Sequence, residues 1–322
     1  RACGGSSGGS GVALACGMLP LCTGSDSGGS LRKPATFSGV SAIRPTTGLV
    51  PSDTRRVGLT NFGVQGPMAR TARDCALMLS VMAGNHSQDP MAFNVPGGDY
   101  RELPVIDLSG LRIAVSVDLG FAPVASAIRA TFLERLGKFR GIFRCCEFHD
   151  LELDTALDVF WILRGVNFLI GHLDHYRHHR DQLGSNIVVN VESGLKLTAE
   201  EIGWAHAEHT RLYRQFQTLF EDYDLLITPG QPITPTPVDQ RNVTMIDDLP
   251  MDNYMHASAL TSSLTLAGNP CVAIPCGFDH TGMPFGLQLV GPMHGDWFTL
   301  GVAAALEQLF SSDLDLARPV PD

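Results

Sequence analysis

The chain has 322 residues and a formal net charge of -10, with 44% hydrophobic and 17% charged residues, 34 glycines and 20 prolines. That length and hydrophobic fraction supply core for one large domain or about two smaller ones, and they exclude a mainly disordered or fibrous protein. The acidic balance argues against nucleic acid as the main partner, and no unbroken apolar run reaches the roughly 18 residues of a membrane span.

Residues 4–10 read GGSSGGS, and the small, apolar GVALACGMLPL that follows suits a short buried helix turning at Pro20. A second glycine-rich loop, GSDSGGS, occupies 24–30. Residues 40–50 read as short strands and turns around Pro45 and Gly48. The spacing over 71–83 predicts an amphipathic helix with Gly84 near its end. Residues 111–119 form an expected buried strand between Gly110 and Gly120, and 126–139 an expected helix. The stretches 155–180 and 198–223 are long and helical by period, the second with Thr198 as N-cap and Glu201 completing a capping box. DLLITP at 224–229 is an expected strand ending on Pro229, before a loop rich in proline. A helix over 254–268 ends at Gly268. CVAIPCG and FGLQLVG, joined by DHTGMP, read as two strands with a tight connection, and 298–310 closes the chain as a helix. Strands alternating with helices imply the α/β class, with helices on both faces of a sheet and one domain over 1–322.

Eight cysteines are scattered through apolar or small-residue stretches. The close pairs, Cys145 with Cys146 and Cys271 with Cys276, lack C-x-x-C spacing, so a zinc ribbon is not expected. Buried reduced thiols in a reducing, cytoplasmic compartment are the expectation. No signal peptide is visible at the start. His172, His175 and His179 fall on one face of the expected helix, with Asp174 nearby. Such a face would suit a metal, yet no partner ligand motif appears, and a polar face with Arg177 and Arg180 is the alternative. No metal or cofactor is therefore assigned. His206 and His209 read as structural or exposed.

The glycine–serine loops carry the chemistry. By composition GGSSGGS would pass for a flexible linker, but an apolar helix follows at once and the GGS pattern recurs. Gly5-Ser6-Ser7-Gly8-Gly9 also fits the G-x-S-x-G nucleophile elbow, which requires a preceding strand that four residues cannot supply. No nucleotide-binding glycine pattern occurs in its proper setting. An alcohol nucleophile needs a base within hydrogen-bond reach, and glycine N–H groups suit an oxyanion because no Cβ blocks close approach.

The segment GGSSGGSGVALACGMLPLCTGSDSGGSLRKPATFSGVSAIRPTTGLVP resembles the signature segment of the amidase signature family. The blocks GPMARTARDCALMLSVMAG, LRIAVSVD, DLLITP and LAGNPCVAIPCGFDHTGMPFGLQLVGPMHGD resemble further family segments in the family's order, while the helical region 140–220 is where members vary. The resemblance implies a single large domain with a mixed, mostly parallel twisted β-sheet covered by helices. It also implies a Ser–Ser–Lys catalytic group, with Ser30 as nucleophile and Ser6, preceded by a cis peptide bond, as the bridging serine. Ser7 would support them, and the backbone of Ser27, Gly28, Gly29 and Ser30 would form the oxyanion hole. Asp26 and Arg32 would brace the loop, an ordinary surface ion pair being the alternative. Lys33 is a candidate substrate contact for an acidic or polar amide.

The implied reaction is hydrolysis of a linear carboxylic amide, with a small-molecule amide as the partner and a homodimer as the assembly to consider. Of the three lysines, Lys33 stands at a different motif position, and Lys138 and Lys196 read as solvated. In the family the catalytic lysine lies well upstream of the glycine loops. The natural polypeptide is therefore expected to be longer than this chain, and this stretch alone to show little hydrolytic activity. A glutamine-hydrolysing component of a tRNA-dependent amidotransferase is the nearest alternative. Residues 54–70 lack the A-S-S-L-D-Q-x-G pattern of that branch. An inactive binding subunit is a third reading, against which the retention of both serines argues.

Overall fold

The computed structural model describes residues 1–94, 99–240 and 242–320. The chain opens with helix α1 (Gly8–Ala15), strand β1 (Leu21–Asp26), helix α2 (Arg32–Ser38) and strand β2 (Ser41–Arg44). Strand β3 (Val64–Ala69), helix α3 (Ala72–Met82), strand β4 (Arg112–Val115), helix α4 (Ser126–Phe139) and strand β5 (Cys145–Phe148) follow. Three helices come next, α5 (Ala156–His178), α6 (Ser185–Gly194) and α7 (Ala199–Asp222). Strand β6 (Leu225–Pro229) precedes a small hairpin of β7 (Met245–Ile246) and β8 (Leu249–Pro250). Helix α8 (Ala259–Ala267), strands β9 (Cys271–Phe278) and β10 (Pro284–Val290), and helix α9 (Asp296–Phe310) complete the order.

Eight strands form one sheet in the order β1-β3-β2-β9-β10-β6-β4-β5. The α/β class and the mixed sheet are those expected. Parallel pairing is confined to β6–β4 and β4–β5. The five other neighbouring pairs are antiparallel, so parallel contacts are the minority rather than the expected majority. The connections explain this. Parallel neighbours need a crossover, which α4 supplies between β4 and β5, whereas the short DHTGMP turn leaves β9 and β10 antiparallel.

Strand alternation divides the core in two. Ala42, Met68 and Ala273 face the small cluster built with Leu14 of α1 and Ala35 of α2. Their neighbours Ile43, Ala69 and Val272 face the main core, with Leu79 of α3 and Leu300 and Leu306 of α9. Helices therefore cover both faces, and α1 and α2 are held over the strands that frame the glycine loops.

The expected capping box of α7 is formed, with Thr198 accepting from Glu201 N–H and the Glu201 carboxylate accepting from Thr198 N–H. Gly268 ends α8 at a φ of 71°, the left-handed conformation that glycine adopts freely. Other expectations change. Helix α1 buries only Gly8, Gly11 and Leu14, because it lies on a single stripe, and Met18 beyond it is 69% exposed. The strand expected over 111–119 stops at Val115. Strands β1, β3 and β5 and helix α6 were not anticipated. Helix α5 has the length of a membrane span and a mean hydropathy of 1.3 over an 18-residue window, although Asp158 and Arg164 interrupt its apolar run, as the sequence count implies. Its buried side chains, Val159, Phe160 and Leu163 among them, join the main core instead. All eight cysteines are unpaired, and Cys22, Cys75, Cys271 and Cys276 are buried.

Glu307 of α9 links three elements. Its carboxylate accepts from the Ser41 hydroxyl of β2 and, at 2.8 Å, from Ala72 N–H at the start of α3. Burial pushes this acid up to about 7, its hydrogen bonds opposing. A raised folded-state pKa means that its contribution is complete below the unfolded value near 4.5 and is lost as pH rises towards about 7. Thermal unfolding of Glu307→Gln beside wild type should show this: wild type loses stability across that window relative to the variant. Parallel profiles would contradict the assignment.

Candidate active site

The site is built where β1 ends and α2 begins. Asp26, the last residue of β1, is fully buried. Its Oδ1 accepts from Gly29 N–H at 2.8 Å and its Oδ2 from Leu31 N–H at 3.1 Å. Arg32 of α2 grips both oxygens, Nε to Oδ2 and Nη2 to Oδ1, each at 3.0 Å. Arg44 of β2 donates to the Asp26 carbonyl at 2.6 Å and lies 3.4 Å from its Oδ1. Most of the remaining donors are also used, although the buried Nε of Arg44 has no partner among the described residues. Arg32 reaches Gln288 Oε1 at 3.0 Å and Thr265 Oγ1 at 3.1 Å, and Arg44 reaches the carbonyls of Asn61 and Phe62.

Asp26 and Arg32 are thus a buried, two-pronged ion pair, not the surface pair that the sequence also allowed. Burial alone would raise the Asp26 carboxyl, but the charges of Arg32 and Arg44 and the Gly29 hydrogen bond outweigh it and hold it well below the usual carboxylate range. Arg44 is pushed down to about 10 by burial, with Asp26 opposing and Arg32 adding to the shift, and it stays protonated at neutral pH.

This clamp fixes a loop that glycine makes flexible by nature. Gly29 has φ at 104°, and a Cβ there would stand 2.4 Å from Thr261 Oγ1. Thr261 in turn donates to the Gly28 carbonyl at 2.8 Å. The second loop is tied to the first by Ser7, whose N–H donates to the Ser30 carbonyl at 3.2 Å and whose hydroxyl accepts from Ser25 N–H at 3.3 Å. The Gly5–Ser6 peptide bond is cis.

Ser6, Gly28, Ser30 and Lys33 meet on the wall of one cavity of about 440 Å³. The hydroxyls of Ser6 and Ser30 have no hydrogen-bond partner among the described residues. Of the four expected oxyanion donors, Gly29 is not free, since its N–H is already taken by Asp26. The N–H groups of Gly28 and Ser30 have no acceptor among the described residues, and both residues line the cavity, which Ser27 does not. Lys33 is half-buried and donates to Ser258 Oγ at 2.8 Å. Burial lowers its ammonium to about 8, with Asp26 opposing and Arg32 and Arg164 adding to the shift.

Among the wall residues that the sequence did not single out, three carry polar groups used below. Arg164 comes from α5, while Tyr254 and Ser258 precede α8. None belongs to a spaced motif, and Arg164 lies in the helical region that carried least signal. Lys196 is exposed as expected, whereas Lys138 pairs with Asp315. The histidine face is broken, because α5 ends at His178 and leaves His179 as its C-cap. Among the described residues no three His, Cys, Asp or Glu side chains are grouped to hold a metal ion. His209 bonds the Leu266 carbonyl at 2.9 Å, a packing role, and His206 is exposed.

The Amidase family model matches residues 1–300, and the chain belongs to that family. Among curated relatives, it is 33% identical to a glutamyl-tRNA(Gln) amidotransferase subunit of Geobacillus thermodenitrificans (strain NG80-2), over 99% of this chain and 69% of that protein. It is 29% identical to an acylamidase of Rhodococcus erythropolis, over 94% of this chain and 64% of that protein. The chain thus spans roughly two thirds of the length of these relatives. In fold it is similar to a bacterial aryl acylamidase of the amidase signature enzymes, with a TM-score of 0.86 at 22% identity, covering 95% of this chain and 65% of that one.

The clamp makes a firm prediction. Replacing Asp26 by Asn leaves two buried guanidinium groups without their counter-charge, which typically costs about 3–5 kcal/mol. Urea denaturation should register a loss of that order. A loss under about 1 kcal/mol, the scale of an exposed ion pair, would contradict the buried arrangement.

Proposed function

We propose that the protein hydrolyses a linear carboxylic amide to the acid plus ammonia or an amine, through a seryl acyl-enzyme on Ser30. The observation that carries this reading is the meeting of Ser6, Ser30 and the Gly28 backbone on one cavity wall, at the foot of a loop clamped by Asp26. Family membership supports it.

In this reading the Ser30 oxygen attacks the amide carbon while its proton passes to the Ser6 hydroxyl, which gives up its own proton to a base. By the resemblance that base is a neutral lysine. Lys33 is held by Ser258 at another motif position and is not given the role. Negative charge on the former carbonyl oxygen is met by the N–H groups of Gly28 and Ser30, and one such donor is typically worth about 2.7–4 kcal/mol in the transition state. The carbon–nitrogen bond breaks as the nitrogen takes a proton and leaves. Water then enters by the same route, releasing the acid and restoring Ser30. Glutamine hydrolysis within an amidotransferase is the second reading, favoured by the 33% identity to the Geobacillus protein. It uses the same nucleophile on a different acyl group. The net charge of -10 favours an enzyme that acts without tRNA.

Treatment of the natural polypeptide with a fluorophosphonate, followed by peptide mapping, tests the nucleophile. The adduct is expected on Ser30 and absent from Ser30→Ala, with Ser6→Ala labelled about a hundredfold more slowly, the usual scale for losing a proton relay. An adduct on another residue, or full-rate labelling of Ser6→Ala, would contradict the scheme.

A further inference from the structure

The cavity has an unusual charge balance for a chain of net charge -10. Its described wall holds two cations, Lys33 and Arg164, and no Asp or Glu. Neither cation has a carboxylate within ion-pair distance among the described residues. Their two positive charges are close enough for Arg164 to contribute to lowering Lys33. The carboxylate charge that acts on Lys33 is that of Asp26, which Arg32 and Arg44 already share, so the pair is only partly compensated and an anion in the cavity relieves it.

The surroundings of Arg164 hold it in one orientation. Its Nε donates to Asn190 Oδ1 at 3.0 Å and its Nη2 to Tyr254 Oη at 2.8 Å. Its guanidinium carbon lies 4.5 Å from the centre of the Phe168 ring. Asn190 also donates to Tyr254 Oη, at 2.6 Å. With Arg164 Nε also 3.2 Å away, the Tyr254 oxygen accepts from three N–H donors, and its own proton has no acceptor among the described residues. Arg164 Nη1 likewise has no partner among them. What remains to face a ligand is a set of donors: Arg164 Nη1, the Tyr254 hydroxyl and the Lys33 ammonium. Such a set matches the lone pairs of a carboxylate, and a neutral alkyl or aryl tail would leave these donors unpaired.

We propose that Arg164, oriented by Tyr254 and Asn190 and assisted by Lys33, binds a carboxylate on the substrate, so that the preferred substrates are monoamides of dicarboxylic acids. The proposal rests on the amide-hydrolase reading for its reaction, but its binding step does not depend on catalysis. Arg164 acts here as a specificity residue: it holds the end of the substrate remote from the scissile bond, and the dicarboxylate product has the same end.

Calorimetric titration with succinate and glutarate, beside their neutral diamides, tests this directly. The wild type is expected to bind a dicarboxylate in preference to its diamide. Arg164→Gln, which can still donate to Tyr254 but lacks the charge, should lose about tenfold to a hundredfold in dicarboxylate affinity. Arg164→Lys should recover part of the loss, and diamide binding should change by less than dicarboxylate binding in both variants. Equal wild-type affinity for acid and diamide, or no binding of either, overturns the proposal. So does parallel loss of both ligands in a variant that unfolds at the wild-type temperature, since that marks a merely structural role. If Arg164→Gln fails to fold, the wild-type preference and Arg164→Lys decide. Failure of Ser30 to label while dicarboxylate binding persists would strike the reaction scheme and leave this subsite standing.

Discussion

One buried carboxylate holds the site together. Asp26 ends a strand, caps the loop that follows through Gly29 and Leu31, and neutralises two buried arginines from different elements. Burying three charges is costly unless every donor and acceptor is matched. Here Arg32 and Arg44 spend most of their remaining donors on Gln288, Thr265 and the carbonyls of Asn61 and Phe62, while the buried Nε of Arg44 is left without a partner among the described residues. The network thereby ties β1, α2, β2, α8 and β10 to one point. It converts a glycine-rich loop, which in isolation would sample many shapes, into a fixed backbone surface beside Ser30.

The sheet provides the frame for this arrangement. Alternation along β2, β3 and β9 sends small side chains towards α1 and α2 and larger ones to the main core. The glycine–serine loops therefore lie on one face of a sheet whose opposite face bears α3 and α9. The rest of the cavity wall comes from α5, α6, the loop after β6 and the segment before α8. The serines proposed to react are thus far in sequence from Arg164, Asn190 and Tyr254, whereas Lys33 follows Ser30 by only three positions and joins the two sets.

Much of this was legible in the sequence where the local signal was strong. The helix over 126–139, the capping box at Thr198 and Glu201, the β9–β10 pair and the αL glycine at 268 all follow from local rules. Strands β1 and β3 were hidden because LCTGSD and VQGPMA carry Gly, Pro and Ser, and their strand character comes from pairing with each other from Leu21↔Ala69 to Asp26↔Val64. The loss of Gly29 as an oxyanion donor depends on where a single carboxylate points, which no spacing reveals. Arg164 was invisible for a related reason: a lone arginine on a long helix reads as solvated until Tyr254, 90 positions away, is folded against it.

A clamped loop, two serines and a cationic cavity wall support the proposed hydrolysis by way of a covalent acyl group on Ser30. Partitioning with hydroxylamine measures that intermediate most directly. Amides that share one acyl group but release different amines should give hydroxamate and acid in the same ratio, since all pass through one acyl-enzyme, and Ser30→Ala should form neither product. A ratio that changes with the leaving amine, or acid formed with no hydroxamate at any hydroxylamine concentration, would contradict it.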